Sequence, residues 1–284
     1  MHTCIRLMVA VVGLGSAAAS ANAAEVETAR MTWTEIRDAV ATGKTTIIIP
    51  TGGTEQNGPH MITGKHNLIV AETARRIAAK LGDALVAPVL AYTPEGDIAA
   101  REGHMAFPGT ISIPHEVFAK VLESTAESFA AHGFKTIIFL GDSGPNQAPQ
   151  RQVAASLSQR WGGDGVRVVN ADTYYATNGQ VEALKAEGET DASIGKHAGI
   201  RDTSELMAVD ASGVRLDLRV ADKDGVSGDP ARASAERGEK LLALKVAAAV
   251  KDIQIARAAP AGDSSATSKQ DGSLFDALWR MIFG

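Results

Sequence analysis

Residues 45–66 read TTIIIPTGGTEQNGPHMITGKH, and this stretch decides the fold. Thr45 to Ile49 is short and apolar throughout, as strands buried on both faces tend to be. Pro50 to His60 is then rich in glycine. A helical period follows over Asn67 to Leu81, with Leu68, Ala71, Arg75 and Ala78 on it, and stops at Gly82. A strand that feeds a helix through such a loop carries Glu55, Asn57, His60 and His66 to the strand's carboxyl edge. Open α/β sheets bind their ligands at that edge.

The same alternation extends along the chain. Strand-like runs recur at Leu85–Val89, Thr136–Leu140 and Val166–Asn170. Helical patterns occupy His115–His132, where Val117, Val121, Leu122 and Phe129 recur, then Asn146–Trp161 and Ala231–Ile255. Residues 31–44 predict a short amphipathic helix with Trp33, Ile36 and Val40 on one face. Strand alternating with helix implies an α/β fold, a three-layer α/β/α sandwich around a mostly parallel central sheet.

The chain's 284 residues are enough for one large domain. Its net charge of −5 speaks against a nucleic-acid partner, which would call for a basic face. Arg6, the apolar run Leu7–Ala19 and the Ala21-Asn22-Ala23 site predict a signal peptide over residues 1–23, cleaved near Ala23. The only cysteine, Cys4, lies within it, so the mature chain has neither disulfide nor thiolate ligand, and a periplasmic or secreted location is expected. The domain then spans 24–257, followed by a flexible linker over 258–273. An apolar tail over 274–284 is expected to dock on protein or to touch a membrane surface.

Four blocks, in order, carry a resemblance: GGTEQNGPH from Gly52, EGHMAFPGTISIP from Glu102, GDSGPNQ from Gly141 and HAGIRDTSEL from His197. Together they resemble the signatures of the creatininase (creatinine amidohydrolase) family. The resemblance implies the sandwich fold, hydrolysis of a non-peptide C–N bond in a small molecule, two divalent metals, and a homo-oligomer, often a hexamer. Glu55 keeps the family's glutamate and His197 its proton-transferring histidine. Elsewhere the pattern departs. Asn57 stands where a histidine belongs, His66 where the bridging aspartate belongs, Ser143 replaces a histidine, Ile200 a glutamate, and Asp202 stands for another glutamate.

Two dications ~3.5–4 Å apart need a bridging anion. A neutral imidazole at position 66 cannot bridge, and Lys65 adds positive charge beside it. At most one ion is therefore expected, with Glu55 and His66 as ligands, Asp202, His197 or His60 completing the shell, and zinc the natural choice. His197, Asp202 and Ser143 are the candidate catalytic residues. Asn57, His60, His104, Asp142 and Asn146 are expected to contact ligand or support the site. Lys65, Arg101 and Arg201 each read as solvated side chains that together could receive an anion. Two other readings compete: a non-catalytic ligand-binding or scaffold protein with no metal, and a metal-free hydrolase using Ser143 as nucleophile.

Overall fold

A computed structural model describes residues 25–259. The expected signal peptide, nearly all of the linker and the apolar tail lie outside the described residues. Four strands, β1 (Thr46–Thr51), β2 (Ala84–Val86), β3 (Thr136–Gly141) and β4 (Arg167–Asn170), pair in the order β2-β1-β3-β4, every pair parallel. The helices are α1 (Trp33–Ala41), α2 (Lys65–Leu81), α3 (His115–Ala131), α4 (Gln147–Trp161), α5 (Asp172–Tyr175), α6 (Gln180–Ala186), α7 (Asp191–Ile194), α8 (Ile200–Asp210) and α9 (Ala235–Ala258).

Successive strand side chains point to opposite faces, and each face of this sheet has its own core. Ile48, Ile138, Leu140 and Val169 pack against Val70, Ala74 and Ile77 of α2 and Val246, Ala249 and Ile253 of α9. Ile47, Ile49, Ile137 and Phe139 pack against Phe118 and Leu122 of α3 and Leu157 of α4. The expected three-layer sandwich is the observed one.

Three local expectations differ. Helix α2 begins at Lys65, so Lys65 and His66 form its first turn rather than part of a loop. Trp33 is 73% exposed and does not share the inward face with Ile36 and Val40, which pack on the core. Val117 and Val121 also face outward, leaving Phe118, Leu122 and Ala126 to seat α3.

β1 leads to β2 on one side and has β3 on the other, so the chain changes direction between β1 and β3. Ligand crevices form outside the carboxyl ends of strands at such a switch point. Helices α8 and α9 close over this end. Their approach depends on Gly238, where a Cβ would meet the Ser204 carbonyl oxygen at 1.9 Å. Gly238→Ala is therefore expected to destabilise the fold by about 1–3 kcal/mol through overpacking, measured by urea denaturation. An unchanged midpoint would mean that the two helices separate freely.

Candidate active site

Glu55 follows β1 and Asp142 follows β3. His66 comes from the first turn of α2, His104 from a short 3-10 turn (Gly103–Ala106), and His197 from the loop before α8. The loop carrying His104 is pinned to the β1 loop by the Gln56 N–H donating to Thr110 Oγ1 at 3.0 Å and by pairing of Thr54 with Ile111. A cavity of about 430 Å³ opens onto Glu55, Lys65, His66, His104, His197 and Asp202.

Glu55 is the centre of this arrangement and is almost fully buried. His66 Nε2 lies 2.8 Å from its Oε1, His104 Nε2 3.2 Å from its Oε2, and His197 Nδ1 3.6 Å from Oε1. Burial acts to raise the Glu55 carboxyl, yet the imidazoles of His104, His66 and His197 hold it well below the usual carboxylate range. Burial drives His197 down to about 4 against the pull of Glu55, and lowers His104 as well. Both rings are neutral near pH 7, as metal ligands must be.

Glu55, His104 and His197 form a group whose donor atoms all lie within 4.8 Å of one another. One carboxylate and two imidazoles is a donor set used by catalytic zinc sites, which keep a fourth position open. The surrounding hydrogen bonds fit such an ion at His197. Its Nε2–H donates to the Gln56 carbonyl at 2.9 Å, which leaves the Nδ1 lone pair facing Glu55. His104 is held differently. Gln56 Oε1 accepts from the Gly58 N–H at 2.8 Å, so Gln56 Nε2 is the atom 3.0 Å from His104 Nδ1. Neutral His104 then carries its proton on Nε2 and enters a metal shell as the other tautomer, with the proton on Nδ1 and the Gln56 amide turned over to accept it.

His66 lies beside this group rather than in it. Its Nδ1 is 2.7 Å from Asp142 Oδ2 and its Nε2 faces Glu55, so both ring nitrogens are committed to carboxylates. Burial and Lys65 oppose protonation of this ring, but Glu55 and Asp142 outweigh them and its pKa is raised. An imidazolium that donates at both ends has no lone pair for a metal, whereas the neutral His104 ring gains one at Nε2 by a change of tautomer, so His104 rather than His66 can join Glu55 and His197. Asp142 also accepts from Tyr174 at 2.8 Å and from Lys245 at 2.6 Å. Burial would raise it, but Lys245 and His66 hold it at about 2.

Lys65 is not solvated. Its ammonium is fully buried, 3.0 Å from Asp202 Oδ2 and 3.8 Å from Glu55 Oε1. Asp202 accepts from the Ala198 N–H as well, at 2.9 Å, so it fixes Lys65 and the α8 start instead of entering the donor group. Removing one partner of a buried pair strands the other charge. Lys65→Met is expected to cost about 3–5 kcal/mol, read from guanidinium unfolding at neutral pH; a loss below ~1 kcal/mol would mean that Arg201 and the Ala198 N–H suffice to hold Asp202.

Ser143 has no base. Its Oγ is 3.4 Å from Glu95 Oε2, and burial together with neighbouring Glu55 pushes the Glu95 carboxyl well above its usual range. A protonated carboxyl cannot take the serine proton, so the nucleophile reading lacks its activating group. Asn146 donates to Gly52 O and Thr51 Oγ1 at 2.7 and 2.9 Å, tying the end of β1 to the turn after β3. Asn57 donates to Glu55 O at 3.0 Å, and His60 Nε2 meets Thr203 Oγ1 at 3.0 Å. These three shape loops. Arg101 is exposed and away from the cavity, whereas Arg201 lines it.

Sequence reasoning did not single out Glu95, Gln56, Lys245 or Glu205. Lys245 had a signal: it falls on the same stripe of α9 as Leu241, Leu242 and Ala249, all buried. A lysine on an apolar stripe needs a partner, and here Asp142 and Glu205 supply it, at 2.6 and 3.2 Å.

Fold and donor set together define a class: a three-layer α/β protein with a group of nitrogen and oxygen donors, able to hold a metal ion, at the carboxyl edge of its sheet. The creatininase model, described as creatinine amidohydrolase, matches residues 29–253. The mycofactocin precursor peptide peptidase of Mycolicibacterium smegmatis is 27% identical over 218 residues, covering 70% of this chain and 81% of that protein. The creatinine amidohydrolase of Pseudomonas putida is 27% identical over 241 residues, covering 76% and 91%. Among solved structures, a manganese creatininase superposes with a TM-score of 0.68 at 23% identity, covering 81% of this chain and 98% of its own. A creatininase variant of Zn-Zn type gives 0.63 at 23% identity, covering 81% and 97%. The chain belongs to the creatininase family and is an amidohydrolase of that family.

Proposed function

We propose that this chain is an exported hydrolase cleaving the C–N bond of a small amide or lactam, with one divalent metal held by Glu55, His104 and His197. The observation that carries this reading is the convergence of those three donors, within 4.8 Å, on a cavity at the sheet's switch point. Zinc suits a set of two imidazoles and one carboxylate. The N-terminal apolar run and its Ala21-Asn22-Ala23 site support export. A homo-oligomer, such as the family's hexamer, belongs to the same proposal.

One ion, not two, follows from the neighbouring charges. Lys65 and His66 place cations where a second metal would need carboxylates. With Lys245 and Arg201 they already face Glu55, Asp142, Asp202 and Glu205. A further dication would meet net repulsion.

A metal held by Glu55, His104 and His197 would lower the pKa of water and polarise the scissile carbonyl. The chain supplies the rest. Lys65 sets a fixed positive charge beside the oxygen that gains charge, in a cavity where it need not reorganise. The proton-transfer role expected of His197 passes to His66. Both His197 nitrogens are taken, Nε2 by a backbone carbonyl and Nδ1 by the metal position. The His66 Nε2–H, in contrast, lies at the cavity wall and exchanges its bond to Glu55 for one to the departing nitrogen. Asp142 orients His66 through Nδ1, as the acid of a catalytic dyad orients its imidazole. Water adds its oxygen to the carbonyl carbon and the C–N bond breaks. His66 gives its Nε2 proton to the departing nitrogen and recovers one from the water, leaving an acid and an amine.

The test is metal analysis joined to turnover. Stoichiometric metal with amidase activity that disappears in chelator and returns with zinc supports the proposal. A metal-free protein that binds ligand without turnover favours a scaffold role, and activity that survives chelator but is lost in Ser143→Ala favours the serine nucleophile.

A further inference from the structure

We propose that Arg201 is a specificity-determining residue that receives a carboxylate of the substrate, so that the amide cleaved is an acid rather than a neutral lactam. This rests on the amidohydrolase reading of the same cavity.

Arg201 lines the cavity together with Glu55, His104 and His197, and its side chain is 23% exposed there. The cavity's other interior cations are spoken for: Lys65 lies 3.0 Å from Asp202, and Lys245 lies 2.6 Å from Asp142 and 3.2 Å from Glu205. Arg201 reaches Asp202 only through Nε, at 3.4 Å, and its two terminal nitrogens hydrogen-bond no described residue. Arg201 therefore brings two terminal N–H donors to the wall of the cavity. Two parallel N–H donors at fixed spacing match the two oxygens of a carboxylate.

Its place on the helix makes the same point independently. Arg201 is in the first turn of α8 (Ile200–Asp210), where the helix dipole disfavours a positive side chain and favours a negative one. Asp202 in the same turn satisfies that preference by capping the Ala198 N–H and holding Lys65. Arg201 runs against it, and an incoming anion would meet both the guanidinium and the positive helix end. Lys196, exposed on the cavity wall, adds a second cation, with Glu182 as the acid at the rim. A neutral ligand would leave this arrangement unused.

The experiment measures binding, so it does not depend on turnover. Zinc-loaded full-length protein is titrated by calorimetry with hippurate and with its neutral amide, hippuramide. Wild type is expected to bind hippurate about 10–100-fold more tightly, as a charge-assisted pair warrants. Arg201→Gln is expected to abolish that preference at unchanged zinc content, and Arg201→Lys to retain part of it. Equal affinities in wild type, absence of hippurate binding, or a preference that persists in Arg201→Gln would overturn the assignment. Failure of the amidohydrolase reading looks different: the preference for hippurate persists while no amide is cleaved at any metal loading.

Discussion

Replacing His66 by glutamine is expected to lower kcat by about 10²–10⁴-fold, the usual contribution of a positioned general acid or base. The effect should fall on kcat with KM changing only a few-fold, measured at saturating zinc because the ring also touches Glu55. Glutamine can still donate a hydrogen bond to Glu55, so the carboxylate keeps a neighbour, but it cannot carry a proton to a leaving nitrogen. Asp142 has Lys245 at 2.6 Å as a second partner, so the variant is expected to fold. Unchanged kcat would remove His66 from the chemistry and return the proton to another group.

The second large effect is expected at Glu55. Glu55→Gln removes the only carboxylate of the donor group and the anion around which His66, His104 and His197 gather. Zinc affinity should fall by more than the ~10–100-fold typical of supporting residues, and amidase activity should fall to background. The imidazolium of His66 and the ammonium of Lys65 would then lack their nearest shared anion, so some loss of stability is expected too. Equilibrium dialysis against a zinc buffer measures the affinity. Wild-type affinity in this variant would mean that the metal sits elsewhere.

Much of the fold was legible because its signals are local. Ile47, Ile48 and Ile49 serve opposite faces of the sheet, so an unbroken apolar run was the correct mark of a strand covered on both sides. The glycine-rich break after β1 likewise placed Glu55 at the carboxyl edge. Trp33 misled because a nine-residue helix has few positions to set its phase, and a large side chain outweighs its neighbours in any periodic reading.

The site was legible only in part, because its geometry is made by distant pairings. His66 and Glu55 stand close in sequence and are adjacent in space, yet nothing local says that Asp142 claims the far nitrogen of the ring. His104 reaches the donor group through a loop pinned at Thr110 and Ile111, a contact without a sequence pattern. Lys65 reads as a surface lysine until α2 is seen to begin there and turn it inward to Asp202. The histidine at position 66, which reads as the loss of a bridging ligand, is therefore a fixed cation beside Lys65, and each is paired with a carboxylate.

The central claim is that these cations leave room for one ion. The direct measurement is the zinc bound per chain at saturation, by mass spectrometry of dialysed protein, in wild type and in Glu55→Gln. One zinc per chain in wild type and none in the variant is the predicted result. Two ions in wild type, or none after zinc reconstitution, would contradict it.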